Sequence, residues 1–169
     1  MRFGITSKPS VASLHDNIEP EVIQFSPSIL KKDTTLLDRL VQLWLMLDAE
    51  EAKYDAKYGL FFDDPIDLTD LFRKRLLTRS GYYLKYNDEV CGFTIVMDSE
   101  YKNAYWLSTL IIDTKYRGKG FGSLLIKTIF ESNKPKRAIL RVSMNNPAGL
   151  ALYKKCGFEP ISQIMMKSK

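Results

Sequence analysis

The sequence predicts one mixed domain, α/β or α+β in class, and three observations carry that expectation. Apolar residues recur at helical spacing in the first half, alternate after Gly81, and return to helical spacing after Gly122. Stretches of the two kinds then follow one another along the chain, as they do where helices cover a sheet. The 169 residues are 45% hydrophobic and 12% aromatic, enough to bury a single core, and no internal repeat, linker or low-complexity stretch divides them. Residues 20–169 read as the domain and residues 1–19 as an extension, either flexible or an added strand.

Taken in order, Glu21 to Phe25 (EVIQF) is a short strand ended by Ser26-Pro27. Asp33 offers a cap for a long first helix whose apolar positions 36, 37, 40, 43, 44 and 47 share a face. Gly59 ends it, FFDDPID follows as a loop, and Leu68 to Arg79 form a second helix. Trp44, Phe61 and Phe62 read as core or loop anchors. Tyr82 to Tyr86 and Val90 to Met97 make a hairpin about Asn87-Asp88-Glu89, with Gly92 marking a bulge, and Ala104 to Asp113 adds the next strand. SLLIKTIFES is a helix ending near Asn133 and Pro135, and Arg137 to Ser143 is a buried strand. Pro147 to Cys156 is a helix closed by Gly157, and Phe158 to Lys167 a last extended segment.

Charge is divided along the chain. Asp16 to Asp70 hold 13 acidic residues against 5 basic ones, a balance of −8, whereas Lys115 to Arg141 hold 8 basic residues and one acid, a balance of +7. The second segment reads as an anion site or as a solvated basic face. A single histidine, His15, argues against a histidine triad or a zinc site, and Cys91 and Cys156 lack metal-ligand spacing and read as reduced packing thiols. No metal is expected. No run of about 18 apolar residues exists to span a bilayer, and the beginning lacks the apolar stretch of a signal peptide, so no membrane is expected and the cytoplasm is the expected compartment.

The stretch Tyr116 to Leu125, YRGKGFGSLL, lies between an apolar strand and a helix, where backbone N–H groups and the helix dipole together favour an anion. A P-loop needs its lysine and hydroxyl at other places, and a dinucleotide fingerprint needs a glycine where Ser123 stands. An anion site of another kind and a plain tight turn remain.

Arg117-Gly118-Lys119-Gly120-Phe121-Gly122, preceded by Leu110-Ile111-Ile112-Asp113, resembles the acetyl-CoA loop [RQ]-x-x-G-x-[GA] of the GCN5-related N-acetyltransferases. A second signature, an asparagine, a small residue and then a tyrosine before Gly-Phe, is matched by Asn146, Pro147, Ala148, Tyr153 and Gly157-Phe158. The resemblance covers roughly residues 20–167. It implies a mostly antiparallel central sheet with helices on both faces and strands splayed at an acetyl-CoA cleft. It implies coenzyme A as cofactor, its phosphates on the amides of Gly118, Lys119, Gly120, Phe121, Gly122 and Ser123 and on basic side chains such as Arg117. Main-chain groups of Leu110, Ile111 and Ile112 would hold the pantetheine arm as though it were a strand, one N–H polarising the thioester. Asn146 would bind cofactor or an ordered water, or else only cap the last helix; Tyr153 would serve as general acid, or else only pack.

Where some relatives carry a glutamate base, this chain has Trp106 and Arg141. The base is therefore left open among a water relay, an amine arriving deprotonated, Asp98, Glu100 and Asp63. The acidic first half would wall the acceptor site, which suits a cationic primary amine: a polyamine, an aminoglycoside-like amine, or a lysine or N-terminus of a peptide. The rival reading is a module of the same fold that binds coenzyme A, or nucleic acid through its basic loop, without catalysis; the acidic front opposes nucleic acid. A monomer or a homodimer suits either.

Overall fold

The computed structural model describes residues 19–55, 67–133 and 137–162. Expectations placed on residues 1–18, Gly59, Phe61, Phe62 and Asp63, and on 163–167, lie outside them. The elements run β1 (Glu21–Phe25), α1 (Pro27–Leu30), α2 (Thr34–Asp55), α3 (Leu68–Leu76), β2 (Ser80–Tyr86), β3 (Glu89–Asp98), β4 (Ala104–Ile112), a 3₁₀ turn (Thr114–Tyr116), α4 (Phe121–Ser132), β5 (Arg137–Ile139) and α5 (Pro147–Lys155). The strands form one sheet in the order β1-β2-β3-β4-β5. β1 through β4 pair antiparallel, and β5 joins β4 in parallel.

Local chemistry explains most boundaries. The Asp33 carboxylate accepts the Leu36 N–H at 2.9 Å, capping α2, and Asp67 accepts from Thr69 and Asp70 to cap α3. Pro27, with its fixed φ, starts the short α1, an element absent from the sequence reading, and this turn buries Leu30 completely. α3 stops at Leu76 rather than Arg79, because the chain must straighten to enter β2 at Ser80. Asn87 and Asp88 both have positive φ, 51° and 61°, the two-residue turn whose twist matches a hairpin, so Glu89 already belongs to β3.

Strand alternation distributes the core to both faces of the sheet. On one face Leu37, Leu40, Leu43 and Trp44 of α2 and Phe72 and Leu76 of α3 bury Phe25, Phe93, Ile95 and Ile111. Trp44 stacks on Phe72 with centroids 4.5 Å apart and planes 1° off parallel. On the other face Phe121, Leu125 and Ile129 of α4 cover Leu84, Tyr105, Leu107 and Ile112. Helices on both faces of a mostly antiparallel sheet are the expected class.

Two irregularities shape the middle of the sheet. Leu84 pairs with Gly92 and Lys85 with Val90, so the extra residue is Cys91, one before the glycine expected to mark it. Gly92 is bare for another reason: a Cβ there would lie 2.4 Å from the Ile111 carbonyl oxygen across the ladder. In β4 the extra residue is Ser108, between Thr109, which pairs with Ile95, and Leu107, which pairs with Val96. The strand expected over Arg137 to Ser143 is shorter and less buried. Only Arg137–Ile139 pairs with β4, opposite Ala104–Trp106, and the strand is partly exposed at the sheet edge. Residues 158–162 carry no regular structure, against the extended segment expected there.

Because neither the Ile111 backbone nor the facing strand can yield, Gly92→Ala should destabilise the fold by about 1–3 kcal/mol. Urea denaturation would show this as a lower midpoint at unchanged slope.

Candidate active site

The site begins where β5 leaves β4. Parallel pairing ends at Trp106 opposite Ile139, and the Ser108 bulge follows two residues later, so the outer edge of β4 from Leu107 to Ile112 runs on without β5. Peptide direction along this edge follows from one bond: the Asp113 N–H donates to Cys91 O in β3 at 2.7 Å. By alternation, the N–H and C=O of Ile112 and Leu110 aim away from β3, and those of Ile111 aim toward it. Of the three residues expected to present main-chain groups, two therefore do so on the outer edge. Ile111 instead contributes a side chain buried under α2.

The edge leads into the glycine turn. Asp113, at the end of β4, is held by Arg39 of α2 at 2.6 Å and in turn accepts the Lys115 N–H, which fixes the 3₁₀ turn. Gly118 and Gly120 have φ of +78° and +83°, and a Cβ on either would meet no atom within 4 Å. Their bareness serves backbone conformation and leaves open space in front of the turn. Gly120 caps α4 without a side chain, and the first helical bond of α4 is donated by Leu124. The N–H groups of Phe121, Gly122 and Ser123 thus have no intrahelical acceptor. Gly122 differs from its two neighbours: a Cβ there would come 3.0 Å from Leu152 of α5, so its bareness lets the two helices touch.

Side chains of the turn are occupied. Phe121 is buried against Tyr86 and Tyr116, and Lys119 Nζ lies 5.6 and 5.5 Å from the rings of those tyrosines. Glu89 accepts from Lys115 and, at 2.8 Å, from the Tyr116 hydroxyl, and the two bonds hold its carboxyl below the usual range. Arg117 donates from Nε to Ile112 O and from Nη2 to Glu50 of α2, both at 2.9 Å.

The second signature sits on α5. Asn146 Oδ1 accepts the Gly149 N–H at 2.8 Å, the capping role, and a Cβ at Gly149 would press to within 2.9 Å of that side chain. Tyr153 is partly buried, its ring 5.8 Å from Phe158 at 69°. Burial, then the charge of Glu51 on α2, pushes its phenol up to about 12, so it stays protonated through the physiological range. The last turns of α2 thus touch both signatures, through Glu50 and Glu51, and the Asn145 amide adds a bond to Tyr54 O at 3.1 Å. Sequence reasoning placed these two glutamates only within a general acidic front. Their one signal was that they are adjacent on a helix and so point in different directions.

Trp106 and Arg141 lie against each other, the guanidinium carbon 5.2 Å from the indole centroid. The indole N–H donates to Glu100 at 3.0 Å, and this bond first, among several, lowers the carboxyl's pKa and with it its strength as a base. Among the described residues no three His, Cys, Asp or Glu side chains gather as a metal would require, and no helix is long and apolar enough to cross a membrane.

Two outcomes follow. Asn146→Ala should cost about 1 kcal/mol through the lost cap, measurable by urea denaturation. Between pH 10 and about 12 the folded chain keeps the Tyr153 proton that the unfolded chain releases, so this residue makes stability fall as pH rises through that window. Tyr153→Phe should make the alkaline fall of the thermal midpoint shallower than in the native chain.

Residues 78–160 match the acetyltransferase (GNAT) domain. An uncharacterized N-acetyltransferase of Bacillus subtilis (strain 168), YobR, is 38% identical over 60 residues, 34% of this chain and 24% of that protein. The spermine/spermidine N(1)-acetyltransferase of the same organism is 33% identical over 86 residues, 45% of this chain and 57% of that one. The matches therefore span about a quarter to somewhat over half the length of these curated relatives. The solved aminoglycoside N-acetyltransferase AAC(6')-Iy in complex with CoA superposes with a TM-score of 0.61 at 14% identity, over 92% of this chain and 98% of that one. The domain match opens just before β2 and closes after α5, so it takes in the outer edge of β4, the glycine turn and the second signature together, and this half of the chain matches the GNAT acetyltransferase family.

Proposed function

We propose that this chain is an acetyl-CoA-dependent N-acetyltransferase acting on a primary amine. The observation that carries the reading is the outer edge of β4, which runs past the end of β5 into a turn where a Cβ on Gly118 or Gly120 would meet no atom within 4 Å and where the first N–H groups of α4 have no intrahelical acceptor. A strand edge suits the amide-rich pantetheine arm, and the start of α4 suits a pyrophosphate. The residues present fit the cofactor. Leu110 and Ile112 would bind the arm by main chain, and the amides of Gly118, Lys119, Gly120, Phe121, Gly122 and Ser123 would bind the phosphates. When bound, acetyl-CoA supplies the activated acetyl group.

Tyr153 Oη, protonated at neutral pH, would pass its proton to the departing sulfur, although burial that pushes the phenol up to about 12 makes it a weaker acid than a free tyrosine. Asn146 positions α5 through its Oδ1 cap, and its amide N–H groups would serve the cofactor or an ordered water. The acceptor we assign is a cationic amine, polyamine-like or aminoglycoside-like, drawn by the acids at the end of α2. The names of one curated relative, a spermine/spermidine acetyltransferase, and one structural neighbour, an aminoglycoside acetyltransferase, carry amines of that class.

The test is thermal unfolding with acetyl-CoA, followed by an amine screen. Ligand at about 100 times its Kd should add about 2.7 kcal/mol to stability, and Gly120→Glu, which sets bulk and negative charge in the turn, should abolish the gain. Tyr153→Phe should lower turnover about 10²- to 10⁴-fold with coenzyme A affinity unchanged. Cofactor binding without turnover of any amine would identify a binding module instead.

A further inference from the structure

The arginine that opens the glycine turn is engaged on both sides. Its Nε donates to Ile112 O, a carbonyl on the outer edge of β4, and its Nη2 to Glu50. Arg117 is also the residue at which the chain leaves the 3₁₀ turn in extended conformation, immediately before Gly118 turns to positive φ. The guanidinium thus ties the first residue of the turn to the last residue of the strand. Glu50 supplies the opposite end of that tie, and it stands on a helix that is itself fixed: Leu40, Leu43 and Trp44 are buried, and Arg39 pairs with Asp113.

We propose that Glu50 is a positioning residue for coenzyme A: it holds the Arg117 guanidinium over Ile112 O, and so fixes where the β4 edge stops and the phosphate-binding turn begins. This rests on the reading of the site as an acetyl-CoA site. Arg117 then acts chiefly as a cap on the strand end, since its fork is spent on a carbonyl and a carboxylate. An arginine can donate along both directions at once, whereas a lysine is a single point charge that cannot span them. The pair is partly exposed, with side chains 42% and 24% accessible, so its effect is moderate.

Coenzyme A binding, measured by calorimetry without any acceptor, tests this on the native chain, Glu50→Gln, Arg117→Lys and the double variant. Glu50→Gln should weaken binding roughly two- to fivefold, with the unfolding midpoint of the unliganded protein unchanged. Arg117→Lys should weaken binding at least as much, and the double variant should bind no more weakly than Arg117→Lys alone, because Glu50 acts through Arg117. Native affinity in Glu50→Gln, or losses that multiply in the double variant, would overturn the proposal. Should Glu50→Gln fail to fold, Glu50→Asp, which keeps the charge but is one methylene short, carries the same expectation and the same refutation. A native chain that does not bind coenzyme A would overturn the acetyl-CoA reading and this inference together; a native chain that binds it beside an unaffected Glu50 variant would overturn this inference alone.

Discussion

The site depends on one constraint, that β4 keeps its partner on one side from Tyr105 to its end and loses it on the other after three residues. With β3 the pairing continues from Asp98 opposite Tyr105 to Gly92 opposite Ile112; with β5 it ends at Trp106. A strand inside a sheet must have its peptide groups satisfied, so an interior strand that outruns its neighbour offers a place for another extended molecule. The Ser108 bulge sharpens the divergence by twisting β4 where β5 ends. Burial of Ile111 and Ile112 on opposite faces keeps the strand rigid, so its outer edge is presented on a fixed support.

α2 is the second support. It packs through one apolar face, reaches Asp113 through Arg39, and ends with Glu50, Glu51 and Tyr54 beside the glycine turn and α5. The two signatures, distant in sequence, also meet directly where Gly122 admits Leu152. Charge that composition shows only as an acidic half is, in space, apportioned: Glu50 neutralises an arginine, and Glu51 bears on a phenol.

The elements were legible in the sequence where periodicity and capping agreed, as in α2 with Asp33 and its apolar face, α4 after the glycines, and α5 between Asn146 and Gly157. β5 was overread because an apolar run does not reveal how many of its residues find a partner; that depends on the neighbour's bulge. Gly92 was read as a bulge when its bareness answers a carbonyl on the next strand, a contact with no local trace. In the glycine turn the sequence placed all three glycines in one role, yet two serve φ and one serves helix packing. Glu50 carried no signal of its partner, which is 67 residues away.

The three-residue attachment of β5 has a kinetic side. β2, β3 and β4 are a meander joined by short connections, the kind of local pairing that closes at little loop entropy. β5 must wait for a crossover that contains the whole of α4, and it then gains only three pairs. Its opening is therefore a low-energy fluctuation compared with unfolding of the meander. A molecule that bridges β4 and β5 thus closes the shortest pairing of the sheet.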